Sequence, residues 1–450
     1  MKQRNLTEGN IAGNLICFAL PMMAGNLLQQ CYNIADTLIV GRFLGANALA
    51  AVGSSYSLMT FLTSILLGMC MGSGAVFSMC CGQKNEKRMK EGIVHSFVLI
   101  GMTALILNAG VFLCLKPVLV LLQVPQDVVP YMQAYLRIIF MGITAAFLYN
   151  YFAALLRAVG NSVVPLLFLG ISAFLNIMLD FAFVLVLNWG VEGAALATVI
   201  AQFVSGTGIV VYTWQKFPEF RIRREELHFD RNVLKEIAGF SFLTCIQQSI
   251  MNFGILMVQG LVNSFGTAVM AAFAAGVKID SFAYMPVQDF GNAFSTFIAQ
   301  NYGAGKWKRI EKGIKSAAVT AFAFCAVISS VVFIFAEPLM TIFVEKSETE
   351  IISIGAGYLR IEGAFYFGIG LLFLLYGFYR AVKRPGMSVV LTILSLGARV
   401  LLAYLLSKGT PLGVTGIWMS VPVGWALADM TGVIYYLKNR KKLLQGGFTG

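Results

Sequence analysis

Charged side chains are scarce in this sequence. Asp, Glu, Lys and Arg make up 12% of its 450 residues, and histidine occurs only twice, as His95 and His228. The eight cysteines (Cys17, Cys31, Cys70, Cys80, Cys81, Cys114, Cys245, Cys325) form no CxxC pair and have no neighbouring histidine, which excludes a thiolate or imidazole metal cage. They read as small hydrophobes. A phosphate-binding loop is lacking as well: Gly303-Ala-Gly305-Lys306 has no first glycine, and Trp307 stands where a Ser or Thr would hold magnesium. With neither histidine partnered, the sequence offers no nucleophile or metal constellation, and the chain reads as no enzyme and as free of cofactors.

What is present is apolar. Hydrophobic residues make up 58% of the chain and mean hydropathy is +0.78, values that would leave large greasy patches on a soluble domain. The apolarity comes in runs of about 20 residues, enough for a helix to cross a hydrocarbon core of about 30 Å. Twelve such runs are expected: 11–40, 48–80, 92–115, 131–156, 163–187, 191–214, 234–262, 268–300, 313–335, 354–379, 386–406 and 414–437. Their continuity predicts helices rather than barrel strands, hence an all-α polytopic membrane protein.

The net charge of +12 is a topology signal rather than a nucleic-acid footprint, because position explains it. Lys2 and Arg4, residues 84–90, Arg157, and residues 216–235, 306–315, 380–384 and 438–442 hold most of the bases, in alternate loops. By the positive-inside bias these loops and both termini are cytoplasmic, lying against anionic lipid headgroups. Glu337, Glu345, Glu348 and Glu350 suit an outer loop. The first apolar run is too long for a cleaved leader and reads as a retained span.

The chain also repeats itself. Gly82, Lys87, Arg88, Gly92 and Ile93 recur 221 residues on as Gly303, Lys308, Arg309, Gly313 and Ile314. Tyr135-Leu-Arg-Ile138 recurs as Tyr358-Leu-Arg-Ile361 and Arg157-Ala-Val159 as Arg380-Ala-Val382, 223 residues on. An even number of spans separates the copies, so two six-helix bundles in one orientation are expected, related by a pseudo-two-fold along the membrane normal. The expected organisation is an N-lobe (1–215), a cytoplasmic linker (216–233), a C-lobe (234–437) and a tail (438–450). Two such lobes are what alternating access requires.

Intramembrane polar groups are costly, about 2.5–3.5 kcal/mol for a charge on insertion scales, so each calls for a task or a partner. Gln29, Asn33 and Asp36 share one face of the first span, and Asn176 and Asp180 one face of the fifth. Thr198 in the sixth offers a hydroxyl at similar depth. Carboxylates so placed can exchange a proton near neutral pH, and the set reads as an ion-coupling site. Pro21 can kink or hinge the first span. In the second half Lys278, Asp280 and Asp289 interrupt the eighth span, Glu362 opens the tenth, and Arg399, which the repeat places on Asn176, is expected to pair with Glu362 or Asp289.

These residues resemble the multidrug and toxic compound extrusion (MATE) family of the MOP flippase superfamily. The stretches that carry the resemblance are Ala19-Leu-Pro21 leading to Asp36-Thr, Gly41-Arg-Phe-Leu-Gly45, Arg157-Ala-Val-Gly-Asn-Ser-Val-Val-Pro165, Asn176 with Asp180, Gly190-Val-Glu-Gly-Ala-Ala-Leu-Ala-Thr198 and Asn301-Tyr-Gly-Ala-Gly305. The resemblance implies twelve helices in two lobes with a central cleft, and multidrug efflux by antiport against inward H+ or Na+ flow. Residue by residue it puts the ion-coupling set on Asp36, Asn176, Asp180 and Thr198.

Some sodium-coupled members carry acids in the seventh and tenth helices. This seventh span has Gln247 and Gln248, which favours H+, with Na+ open at the same four residues. Expected partners are membrane lipids and organic cations or amphipathic drugs, with Gln29, Asn33, Tyr149, Asn150, Tyr284 and Met285 as contacts. A monomer in the inner membrane is expected. The alternative is a lipid-linked oligosaccharide flippase, which should line its cleft with several bases; the intramembrane ones reduce to Lys278, Arg399, Arg137 and Arg360.

Overall fold

Apolar runs withdrawn from water must satisfy their backbone groups within themselves, and here they do so as helices. A computed structural model describes residues 4–121, 126–222 and 229–445, and among these there is no β-strand. His228, Lys2, part of the linker and the last five residues of the tail lie outside the described residues. The helices in order are α1 (Ile11–Leu44), α2 (Ala46–Gln83), α3 (Glu86–Leu121), α4 (Val129–Met141), α5 (Ile143–Ala158), α6 (Val163–Asp180), α7 (Gly190–Lys216), α8 (Arg231–Asn263), α9 (Thr267–Gly303), α10 (Trp307–Ile334), α11 (Ala336–Met340), α12 (Thr349–Gly363), α13 (Tyr366–Ala381), α14 (Pro385–Gly409) and α15 (Val414–Gln445). Ten are long and apolar enough to cross a membrane, and two bent pairs complete the twelve spans.

The bent pairs differ from the continuous helices expected at 131–156 and 354–379. α4 and α5 meet at 44°, α12 and α13 at 51°. The first break falls at Gly142, where a Cβ would lie 2.7 Å from Gln202 Oε1 and 3.0 Å from the Ile139 carbonyl. The second falls at Ala364 and Phe365, with Phe365 N–H bonded back to Glu362 O at 3.0 Å. Hydropathy is blind to such breaks because the residues on either side stay apolar. Glu362 therefore does not open a span; it ends α12, inside one.

The internal repeat is written in the backbone. Left-handed φ values occur at Gly45 and Gly266, Lys84 and Gly305, Gly160 and Lys383, and Gly190 and Gly413, each pair at the repeat spacing. Both halves therefore turn at the same places, with glycine preferred where a side chain would strain the turn.

The chain forms two compact units, with divisions inside α1 and α8. The first contains Arg4 and Ala24–Cys245. In it the opening turns of α8 lie directly on α2: a Cβ on Gly68 would sit 2.6 Å from Cys245 Cα, and one on Gly72 2.6 Å from the Phe240 carbonyl carbon. Ser73 and Ser241 hydroxyls bond at 2.8 Å, and Arg88 pairs with Glu236. Tyr151, fully enclosed, donates to Ile93 O at 2.8 Å amid Phe77, Phe97, Phe147 and Phe152.

The second unit contains Asn5–Met23 and Ile246–Gly450. α9 runs beside α10, α12 and α13, while α14 and α15 pair closely. The Asn301–Arg309 turn clasps the N-terminal segment. Asn301 donates to Leu6 O (3.2 Å), Lys306 to Thr7 O (2.9 Å), and Arg309 to the carbonyls of Leu6, Glu8 (2.7 Å) and Gly9 (2.8 Å).

Candidate cation-coupling site

Within the first unit, α1, α6 and α7 bring the four expected coupling residues into one cluster. Asn176, Asp180 and Thr198 are 2%, 0% and 9% exposed, and Asp36 is half-buried. Asn176 Nδ2 donates to Thr198 Oγ1 at 3.2 Å, and that hydroxyl donates to Ala194 O at 3.2 Å, which uses the hydroxyl proton and one N–H of the amide. The acceptor oxygens of the acids and the amide are not used. Asp36 Oδ1, Asn176 Oδ1 and both Asp180 oxygens are buried without a hydrogen-bond donor.

Asp36 and Asp180 interact with one another, and two carboxylates brought together repel unless one is protonated or a cation joins them. Among the described residues no base forms an ion pair with either. Oxygens from two carboxylates, an amide and a hydroxyl are the donor set that a small hard cation takes. Local structure supports the placement: α6 gives way at Asp180 to a π-helical turn, Phe181–Val186, a feature frequent at functional sites. That turn is pinned where Phe183 stacks on Trp189 at 4.9 Å and a Cβ on Gly193 would meet Phe183 Cβ at 3.1 Å.

Two phenols join this cluster that the sequence pattern did not single out. Tyr135, at 4% exposure on α4, interacts through charge with both Asp36 and Asp180, and Tyr32 bonds Gln29 and lies near Asp36 and Tyr149. The Tyr135 repeat was the available signal. Of the expected substrate contacts, Gln29, Asn33, Tyr149 and Asn150 belong to this unit. Tyr149 donates to Pro165 O at 3.0 Å and Asn150 to Ala146 O at 2.8 Å, which engages the phenol's donor and one N–H of the Asn150 amide. Tyr284 and Met285 belong to the second unit, where Tyr284 stacks on Phe373 at 6.5 Å.

The second unit holds a different acid pair. Tyr366 donates to Asp280 Oδ1 at 2.6 Å and Tyr358 to Glu362 Oε2 at 3.1 Å, with the acids 7% and 2% exposed. Arg399 acts through its charge on both acids, with no direct ion pair to either among the described residues. Of the two expected partners Glu362 is one that its charge acts on, and Asp280, which the sequence did not offer, is the other acid it acts on. Lys278 stands 5.9 Å over the Phe343 ring. Asp429 on α15, also buried and with Oδ1 unpartnered, escaped the sequence pattern because no second polar residue shares its helical face one turn away.

An all-α membrane protein of twelve spans, repeated internally and carrying an acid cluster that no base pairs with among the described residues, has the build of a membrane transporter. The family follows from comparison: the MatE family model matches residues 21–182 and 241–405, one segment in each half, and the chain belongs to that family. Over 99% of both chains it is 29% identical to the probable multidrug resistance protein YpnP of Bacillus subtilis (strain 168). It is 26% identical to the probable multidrug resistance protein NorM of Thermotoga maritima, covering 96% of this chain and 93% of that one. The structure of an outward-facing multidrug resistance MATE family transporter of the MOP superfamily superposes with a TM-score of 0.92 over 100% of both chains, at 21% identity, and shares the fold.

Proposed function

We propose that this protein is a multidrug exporter that expels amphipathic organic cations in exchange for protons entering through the Asp36–Asp180 cluster. The carrying observation is the set of buried acceptor oxygens on Asp36, Asn176 and Asp180 that lack any donor or base. Such a set gains from a bound positive charge, and among the described residues no base is paired with it. The names of the relatives, probable multidrug resistance proteins, support the substrate class. An acid cluster beside the phenols of Tyr32, Tyr135 and Tyr149 attracts an organic cation by charge and ring quadrupole. Na+ is the second coupling ion that the same oxygens fit.

Export proceeds by alternating access of the N-lobe (1–215) and C-lobe (234–437), in a monomer set in the inner membrane among its lipids with both termini cytoplasmic. The test is efflux of ethidium from proteoliposomes under an imposed pH or Na+ gradient, comparing the unaltered protein with Asp36→Asn. Efflux that follows the pH gradient and vanishes in the variant is expected. A response to Na+ alone changes the ion. Folded protein inert under both gradients overturns the drug-export reading in favour of lipid-linked oligosaccharide flipping.

A further inference from the structure

The two halves make one and the same helix crossing in different ways. In the first half Gly206 of α7 lies on Ala145 of α5: a Cβ on Gly206 would sit 2.8 Å from the Ala145 carbonyl oxygen, so backbone meets backbone. The repeat, 223 residues on, puts Asp429 of α15 in the place of Gly206 and Gly368 of α13 in the place of Ala145. The glycine has changed sides, and a carboxyl fills the space. A Cβ on Gly368 would lie 3.7 Å from Asp429 Oδ2 and 3.5 Å from the Cβ of Trp425, one turn earlier on α15.

The first half shows that this crossing closes without any side chain at the place of Asp429, so packing does not call for the acid. Nor does a partner. Asp429 is 7% exposed, its Oδ1 is buried with no hydrogen-bond donor, and among the described residues no base forms an ion pair with it. The helices α12, α13 and α14 pack on α15. From α13 the phenol of Tyr376 interacts with the carboxyl. From α14 Arg399 meets α15 at Gly424, where a Cβ would lie 3.3 Å from Arg399 Cβ. Among the described residues no charge on any of these helices acts on Asp429. A carboxylate taken from water alone is far costlier than its neutral acid, so a carboxyl in this place is suited to hold a proton.

We propose that Asp429 is a proton-binding site of the second unit, held as the neutral acid in the crossing of α13 and α15 and ionised when water reaches it past Gly368. It works separately from the Asp36 cluster and does not depend on the coupling role given to that cluster above. Loading adds one proton from water to the carboxylate, and release returns it. Gly368 is the point of access because it covers the carboxyl with backbone alone, just after the break at Ala364 and Phe365.

The test is infrared titration of the full chain in lipid nanodiscs. The difference between the unaltered protein and Asp429→Asn is expected to hold a carboxylic-acid C=O band at low pH that gives way to carboxylate bands as the pH rises. An Asp36→Asn background is expected to leave that band unchanged. Gly368→Ser keeps Asp429: its Cβ has room, and its hydroxyl supplies a donor to the carboxylate. Relative to Gly368→Ala it is expected to need about tenfold more protons to show half the acid band, as a hydrogen bond to a charged group commands. If Asp429→Asn does not fold, the Ser and Ala variants with 13C-labelled aspartate still read the site. Carboxylate bands alone at every pH, an acid band that never titrates, loss of the band with Asp36→Asn, or Ser and Ala variants that titrate together would each overturn the proposal. The signal needs no transport, so it stands or falls apart from the Asp36→Asn efflux result.

Discussion

Asn176 donates its side-chain amide to Thr198 Oγ1 at 3.2 Å, and this single bond, joining α6 to α7, fixes which end of the amide is left to serve as an acceptor. The bond orients the site rather than filling it. Thr198→Val keeps the shape, removes the acceptor and frees the amide to flip. A buried hydrogen bond is worth about 1 kcal/mol net, so the ion concentration for half-maximal efflux should rise about fivefold, with the maximal rate nearly kept. Efflux measured against the driving ion's concentration checks this.

On the proposed coupling role Asp36 and Asp180 act as one unit, so their removals should not add. Asp36→Asn and Asp180→Asn are each expected to abolish gradient-driven efflux, and the double variant to be no worse than either alone. Substrate binding measured without a gradient should survive in all three, which separates lost coupling from lost fold. A double variant markedly below both singles would show that the carboxylates work independently.

Glycines of one sequence type divide sharply by place. A Cβ on Gly72 would meet the Phe240 carbonyl, whereas one on Gly239 meets nothing within 4 Å. Gly72→Ala should cost about 1–3 kcal/mol through overpacking of α2 on α8. Gly239→Ala, inside α8, should gain about 0.5–1 kcal/mol from helix propensity. Thermal unfolding of the two variants in one detergent is the comparison.

Tyr366→Phe removes the donor to Asp280 Oδ1 and leaves that buried oxygen bare. The expected loss is about 1–3 kcal/mol of stability. Arg399 cannot make up the bond without moving, since no direct pair joins it to Asp280. A thermal scan showing no change would mean the phenol is not that oxygen's partner in the membrane.

Arg309→Ala removes donors to the carbonyls of Leu6, Glu8 and Gly9. The N-terminal segment should then become accessible to protease, while the melting of the remainder shifts by no more than about 1 kcal/mol equivalent. Peptide mapping of an early digest gives the answer.

The spans and the first acid cluster were legible because each rests on periodicity: apolar runs of membrane length, and Asn33 with Asp36, or Asn176 with Asp180, at helical spacing on one face. The breaks at Gly142 and Phe365 were not, since a helix can turn without any loss of hydropathy. Tyr135 and Tyr358 were visible as repeated letters, but a tyrosine in an apolar span gives no sign of facing an acid until the acid's helix is placed. Arg399's field on Asp280 joins residues far apart in sequence, and spacing alone could not find it. Asp429 stands alone on its face and left no pattern to detect.

The matched left-handed turns at Gly45 and Gly266, Lys84 and Gly305, Gly160 and Lys383, and Gly190 and Gly413 also bear on history. Such agreement is what duplication of a half-length ancestor leaves behind. The loops that set the path of the chain stayed common property, while Asp180 and Thr198 have Ala403 and Val421 as their counterparts at the repeat spacing. After doubling, architecture was inherited by both copies and ionic chemistry was free to specialise in each.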